Sequence, residues 1–264
     1  MTAASSSVSC SRVVPTVQIL GVPIACLTID EAVERALGGG LVLAPSGPGL
    51  CDLERDPDYR DALLGSDVNL TDSGLVILVE ALRYRRKLPR ASGLGYIEAL
   101  LARAEVKRAG GTFWIMPSAD AAARNIAWLR SHGVEVTDDD CYVAPMYPRR
   151  GRVEDRALAQ LLEERRPDHV VICVGSGPQE KLGLFLKREL TYAPGIHCLG
   201  AAIGFLSGEQ ASIPRWADRA YLGWLIRCID DPRTFVPRYL KAFRLVYLLA
   251  RYGATPPPIV SHAG

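Results

Sequence analysis

The chain has 264 residues, 31 basic and 29 acidic side chains and a hydrophobic fraction of 48%, which suits one large globular domain with a substantial core. A formal net charge of +2 names no partner and gives no support to nucleic-acid binding. Seven cysteines without a CxxC make neither a disulfide framework nor a zinc site and fit a reducing cytoplasm, and four scattered histidines suggest no metal cluster.

Residues 1–12 lack a long apolar stretch and are expected to form a disordered leader, not a signal peptide. No apolar run is long enough to cross a bilayer, so any contact with a membrane is expected from its surface. Residues 13–19 predict a strand, and residues 29–37 a helix capped near Thr28 or Asp30. After Gly38-Gly39-Gly40 a short buried strand covers 41–43. The small-residue loop Ala44-Pro45-Ser46-Gly47-Pro48-Gly49 follows, suited either to close approach of a ligand or to a plain turn. Residues 56–64 read as a helix.

A short strand is expected to end at Thr71-Asp72, and residues 74–86 to form an amphipathic helix. Asp72 then stands where strand becomes helix, and by itself is better explained as an N-cap than as a catalytic group. The basic run Arg83, Arg85, Arg86, Lys87 and Arg90 reads as a solvated helix end. Helices are predicted over 96–109, 119–132 and 153–165, and strands over 112–116 and 134–136. Asp138-Asp139-Asp140 follows the last of these strands. The alternation implies βαβ units and a Rossmann-like, mostly parallel α/β sheet with helices on both faces.

Residues 170–174 form an apolar run bounded by Pro167 and Gly175, as expected of a strand buried on both faces. The turn Gly175-Ser176-Gly177-Pro178 and the polar pair Gln179-Glu180 open the next helix. Strand, glycine turn and helix can hold an anion on free amides at the carboxyl edge of a sheet. G-x-G alone is weak evidence of that. A strand over 196–199 and a small-residue segment over 200–206 come next. From Trp216 the composition turns basic and aromatic, with Arg227, Arg233 and Arg238 among six arginines between 215 and 244. One face of this helical segment is expected to pack on the sheet and the other to meet anionic lipid headgroups. The division is therefore an α/β core over 13–214, a C-terminal basic-aromatic helical appendage over 215–252, and a disordered tail over 255–264. A chain cut near Trp216 is expected to keep a folded core.

In this order the motifs resemble the WecG/TagA/CpsF glycosyltransferase family, from about Val17 to Arg244. The residues that carry the likeness are Pro167-Asp168, the turn Gly175-Ser176-Gly177-Pro178-Gln179-Glu180-Lys181, Asp67 with Asp72-Ser73-Gly74, and Pro89-Arg90-Ala91-Ser92-Gly93. Gly200, Phe205, Gly208, Pro214, Trp216, Trp224, Arg227 and Pro232 continue it. The resemblance implies an inverting transfer from a UDP-sugar to a polyprenyl-diphosphate-linked saccharide, at the inner face of the plasma membrane, without metal or other cofactor. It implies Asp72 as catalytic base, and Ser46, Gly47, Gly175, Gly177, Gln179 and Glu180 around the donor. Arg90, Arg227, Arg233 and Arg238 would meet the acceptor and its diphosphate. The partners implied are the UDP-sugar donor, the lipid-linked acceptor and an anionic membrane surface; homo-oligomerisation stays open.

The chain departs from the family pattern at Ala44 and Ser46, at Ser73 in place of glycine, at Gly95 and at Gly223. The Pro45–Gly49 stretch looks more like the exopolysaccharide branch, which favours glucose or a related hexose over N-acetylmannosamine as donor. Two rival readings remain. Asp138-x-Asp140 fits the metal-holding D-x-D of other glycosyltransferases. A Rossmann-like oxidoreductase or non-catalytic nucleotide-binding module is the alternative of another class, although no G-x-G-x-x-G follows the first strand.

Overall fold

The computed structural model describes residues 14–208 and 223–260. The chain opens with an antiparallel hairpin of β1 (Thr16–Ile19) and β2 (Val22–Ala25), separate from the main sheet. The second of these strands is not anticipated by the sequence reading. Leu20 and Gly21 turn the chain with φ of 52° and 79°, the left-handed pair of a type I′ turn. A leucine in the first position hides that signal.

The main sheet contains β3 (Gly40–Leu43), β4 (Val68–Asn69), β5 (Thr112–Met116), β6 (Cys141–Val143), β7 (His169–Ile172) and β8 (Gly195–Cys198). Its order is β4-β3-β8-β7-β5-β6, and every neighbouring pair is parallel. All residues of β5, β7 and β8 are buried, as a parallel sheet covered on both faces requires. Alternate side chains enter two cores. Leu41, Leu43, Phe113, Ile115, Val170, Ile172 and Ile196 face α3 (Pro57–Gly65), α8 (Arg156–Arg165) and α9 (Pro178–Glu189). Val42, Trp114, Met116 and Val171 face α1 (Ile29–Leu37), α5 (Gly93–Leu101) and α7 (Ala119–Ser131). The Rossmann-like α/β expectation holds.

Three local expectations are corrected. Residues 134–136 are not a strand: Val134 N donates to Leu129 O and Glu135 N to Lys107 O, so helix ends satisfy that backbone. The strand, β6, comes after Asp138–Asp140, which form a 3-10 turn. The helix predicted over 96–109 is two, α5 and α6 (Ala104–Lys107), parted where Arg103 turns to pair with Asp30 and Glu34 at 3.2 and 2.7 Å. Finally, 44–49 is not merely a loop. Ser46 caps α2 (Gly47–Leu50), which runs into a 3-10 turn over Cys51–Glu54.

The C-terminal segment comprises α11 (Gly223–Asp230) and α12 (Pro232–Tyr252). The expected boundary between Pro214 and Arg215 lies outside the described residues. Leu245, Leu248 and Leu249 of α12 are buried in the same core as β3 and α3. Arg244 grips the buried carboxylate of Glu54 with two hydrogen bonds, 3.0 and 2.8 Å, the paired geometry in which Arg binds carboxylate most firmly. Leu20 N and Gly21 N donate to Gly253 O and Ala254 O, and Val260 N donates to Glu54 O. The segment from Thr255 to Val260, expected to be disordered, is thus tied to the body.

A buried polar chain crosses β7 and β8: Tyr96 Oη lies 3.0 Å from His197 Nδ1, and His197 Nε2 lies 3.3 Å from His169 Nδ1. Tyr96 as donor satisfies this chain with both imidazoles neutral. Burial holds His197 down to about 3 from 6.5 and lowers His169 in the same direction. The folded form therefore binds fewer protons than the unfolded form. Stability is present above pH 6.5 and is lost as pH falls from there toward 3. His197 alone should remove about 2 kcal/mol between about pH 8 and about pH 5. Urea midpoints across that range should fall as pH falls, with a shallower slope in His197→Gln; a flat wild-type midpoint contradicts the assignment.

Candidate active site

Loops at the carboxyl ends of β3, β4, β7 and β8 converge, and the glycines show how closely. A β-carbon on Gly47 would lie 2.8 Å from Ser73 Oγ and 3.3 Å from Leu245 Cδ2. One on Gly49 would lie 2.7 Å from Tyr59 Oη and 3.3 Å from both Ser176 Oγ and Ser46 Oγ. The 46–49 stretch is thereby wedged between the start of α4 (Gly74–Tyr84), the Gly175–Gly177 turn and α12. A β-carbon at either glycine would have to displace the Ser73 or Tyr59 side chain.

Asp72 is half-buried beyond the end of β4. It is not the cap of α4: Ser73 Oγ accepts from Val76 N at 3.4 Å. The exchange of the family's glycine for Ser73 thus has a local reason, and Asp72 stands one residue before the helix cap. Ala91 N donates to Thr71 O at 2.9 Å, which lays the strip carrying Arg90 beside the strip carrying Asp72. Ser92 then caps α5, whose Gly93 approaches Leu199 O just past β8 and Ala202 at the start of α10 (Ala202–Ser207). Arg90, Asp72, Ser46, Gly47 and the Gly175–Gly177 turn therefore share one end of the sheet.

In the turn after β7, two amides bond within the turn. Gly177, with φ of 98°, donates its N–H to Glu180 Oε2 at 2.7 Å. Pro178 has no N–H, and Gln179 N donates to Gly175 O. These amides serve the turn itself and do not point outward for an anion. Gln179 and Glu180 are buried. Gln179 Oε1 accepts from Gly200 N at 2.7 Å, which joins α9 to the loop after β8. Glu180 also accepts from Ser176 Oγ and Gln179 Nε2, both at 3.2 Å, and burial raises its pKa against those bonds. Both side chains brace the loops that meet there.

The sequence reading gave no role to Lys181, Arg149 or Arg150. Lys181 is buried and donates to Asp56 Oδ2 and Arg149 O, both at 3.0 Å. Asp56 in turn caps α3 through Tyr59 N. Lys181 so anchors the loop bearing exposed Arg149 and Arg150 next to Gly177, whose β-carbon would lie 3.8 Å from Arg149 O. The run Arg149-Arg150-Gly151-Arg152 was the available signal, but its proximity to the turn is purely tertiary.

Arg233 is exposed on the first turn of α12. Arg227 and Arg238 fall outside the described side chains. Asp138–Asp140 lie at the amino end of β6, away from the convergent loops, and bond locally: Arg130 donates to Asp138 at 2.8 Å and Thr137 N to Asp140 at 2.8 Å. Among the described residues no three His, Cys, Asp or Glu side chains form a metal-holding group. Nor is any described helix long and apolar enough to cross a membrane.

A parallel sheet with helices on both faces and ligand-sized loops gathered at its carboxyl edge is a Rossmann-like α/β protein. Residues 17–257 match the model of the Glycosyl transferase WecG/TagA/CpsF family, and the chain belongs to that family. It is accordingly an enzyme that transfers a sugar. No curated protein matches it.

Proposed function

We propose that the chain moves a hexose, glucose in first place, from a UDP-sugar to a polyprenyl-diphosphate-linked saccharide during surface or exopolysaccharide synthesis, with inversion. The observation that carries this reading is the placement of Asp72 beside the Arg90 strip and the 46–49 loop, in a member of a glycosyltransferase family. The acceptor hydroxyl attacks the anomeric carbon, and Asp72 takes its proton. The bond from that carbon to the UDP oxygen breaks, and UDP leaves with the electron pair. Its growing charge calls for cations, since the Gly177 and Gln179 amides are already bonded within the turn. Arg90, Arg149 and Arg150 are the candidates on this end of the sheet, and Arg227, Arg233 and Arg238 of the C-terminal segment are proposed to join them. N-acetylmannosamine remains the second choice of donor sugar. The basic C-terminal helices would hold the protein on the inner face of the plasma membrane.

The test is a panel of UDP-sugars with a lipid-linked acceptor, read by product mass and anomeric configuration. Transfer should persist in EDTA, and Asp138→Ala or Asp140→Ala should change the rate less than about twofold, given their surface ion pairs. Loss in EDTA with recovery on Mn²⁺ would restore a metal role. Titration with NADH separates the oxidoreductase alternative, since binding of UDP without NADH removes it. UDP binding with no turnover on any lipid acceptor would leave a nucleotide-binding module.

A further inference from the structure

We propose that α4 rests on an anionic lipid surface and forms, with the outer face of α12, one continuous docking plane that ends at Asp72. The inference deepens the reading of a lipid-linked acceptor and rests on it for its purpose, although its test needs no sugar. The C-terminal third of α12 packs beside α4, with the two helices ascending in the same sense. At the start of α4, and two-thirds of the way along α12, Gly47 is wedged between Ser73 and Leu245. Near their ends, Arg83 Nη1 donates to Leu249 O and Ala250 O at 3.2 and 2.8 Å, and a β-carbon on Gly253 would lie 2.7 Å from Tyr84 Oη.

Both helices bury one face and leave an apolar stripe outside. On α4, Leu78 and Leu82 are 52% and 76% exposed and stand one turn apart. On α12, Leu240, Phe243 and Tyr247 follow at helical spacing with exposures of 58%, 75% and 51%. Scattered exposed leucines mean little, but two adjacent helices carrying such stripes make a patch that calls for an occupant.

Charge identifies that occupant. Arg83, Arg85, Arg86 and Lys87 are exposed where α4 ends, and Arg251 closes α12. Helix α12 contains no acidic residue, and the single acid of α4, Glu80, is buried beneath Arg86 at 3.8 Å. An apolar strip with a basic rim and no exposed carboxylate is complementary to anionic headgroups over acyl chains. Eleven residues of α4 span about 16 Å. Docked along its length, the helix would carry Asp72 at the level where a lipid-borne diphosphate lies.

The experiment is sedimentation of the full-length protein with phosphatidylglycerol–phosphatidylcholine vesicles, without donor or acceptor. Leu78→Glu with Leu82→Glu, and separately Arg85→Glu with Lys87→Glu, should each weaken partitioning by about tenfold or more. All four positions are solvent-exposed, so circular dichroism and the thermal midpoint should match wild type. Wild type should release at high salt and bind pure phosphatidylcholine poorly. Folded variants that partition like wild type overturn the proposal, as does equal binding of wild type to neutral vesicles. A variant that turns an oligomer into a monomer with vesicle binding unchanged assigns the face to a second copy of the chain and overturns it too. Docking through α4 in a protein that transfers no sugar would keep this proposal and sink the functional one.

Discussion

Asp72→Asn lowers sugar transfer by about a hundred- to ten-thousand-fold, the range expected when a positioned general base is lost, and leaves the fold and UDP binding close to wild type. The fold should survive because the helix cap is Ser73 and not Asp72. Removing a cap would itself cost about 1 kcal/mol, so Ser73→Ala makes the matching control. That variant should lower the thermal midpoint with less loss of rate. Asn keeps the size and polarity of the side chain and removes the proton acceptor. The readout is single-turnover transfer with UDP affinity measured separately. Near-wild-type turnover in Asp72→Asn would return Asp72 to a structural part in the approach to α4.

Deletion from Gly223 onward unfolds the protein. This replaces the expectation of a stable core cut near Trp216. The deletion strips Leu245, Leu248 and Leu249 from the core, each worth about 2–3 kcal/mol when fully buried. It also leaves Glu54, now gripped by Arg244, as a buried carboxylate without that partner, a change that typically costs about 3–5 kcal/mol. The sum is comparable to the whole stability of a domain, about 5–15 kcal/mol. Circular dichroism and UDP binding of the truncated chain provide the check. A cooperative thermal transition with UDP affinity intact would show that α12 is dispensable to the fold. Charge reversal at Arg233, exposed on the first turn of α12, spares the packing and is the cleaner probe of acceptor binding.

Parallel α/β architecture was legible in the chain because its signals are local. Apolar runs such as 170–174 can be buried only between two helical layers, and glycines mark the ends of the strands. The site residues were legible chiefly as a family pattern, since Asp72, Arg90 and Gln179 lie far apart along the chain and none carries an unusual local signal. What sequence alone determined is therefore the sequence of elements and the order of motifs. Tertiary structure decided which end of each element meets which. It joined 46–49 to Ser73 and Ser176, turned Gln179 and Glu180 inward as braces, and removed Asp138–Asp140 to the amino end of an edge strand. It also made α12 part of the core, because helical spacing shows that a stripe will be buried but not against what. The amides after β7 illustrate the limit most clearly. A glycine turn before a helix is a ready anion cradle in outline, yet the N–H of Gly177 is already bonded to Glu180 three residues on, a choice made by where that carboxylate is buried.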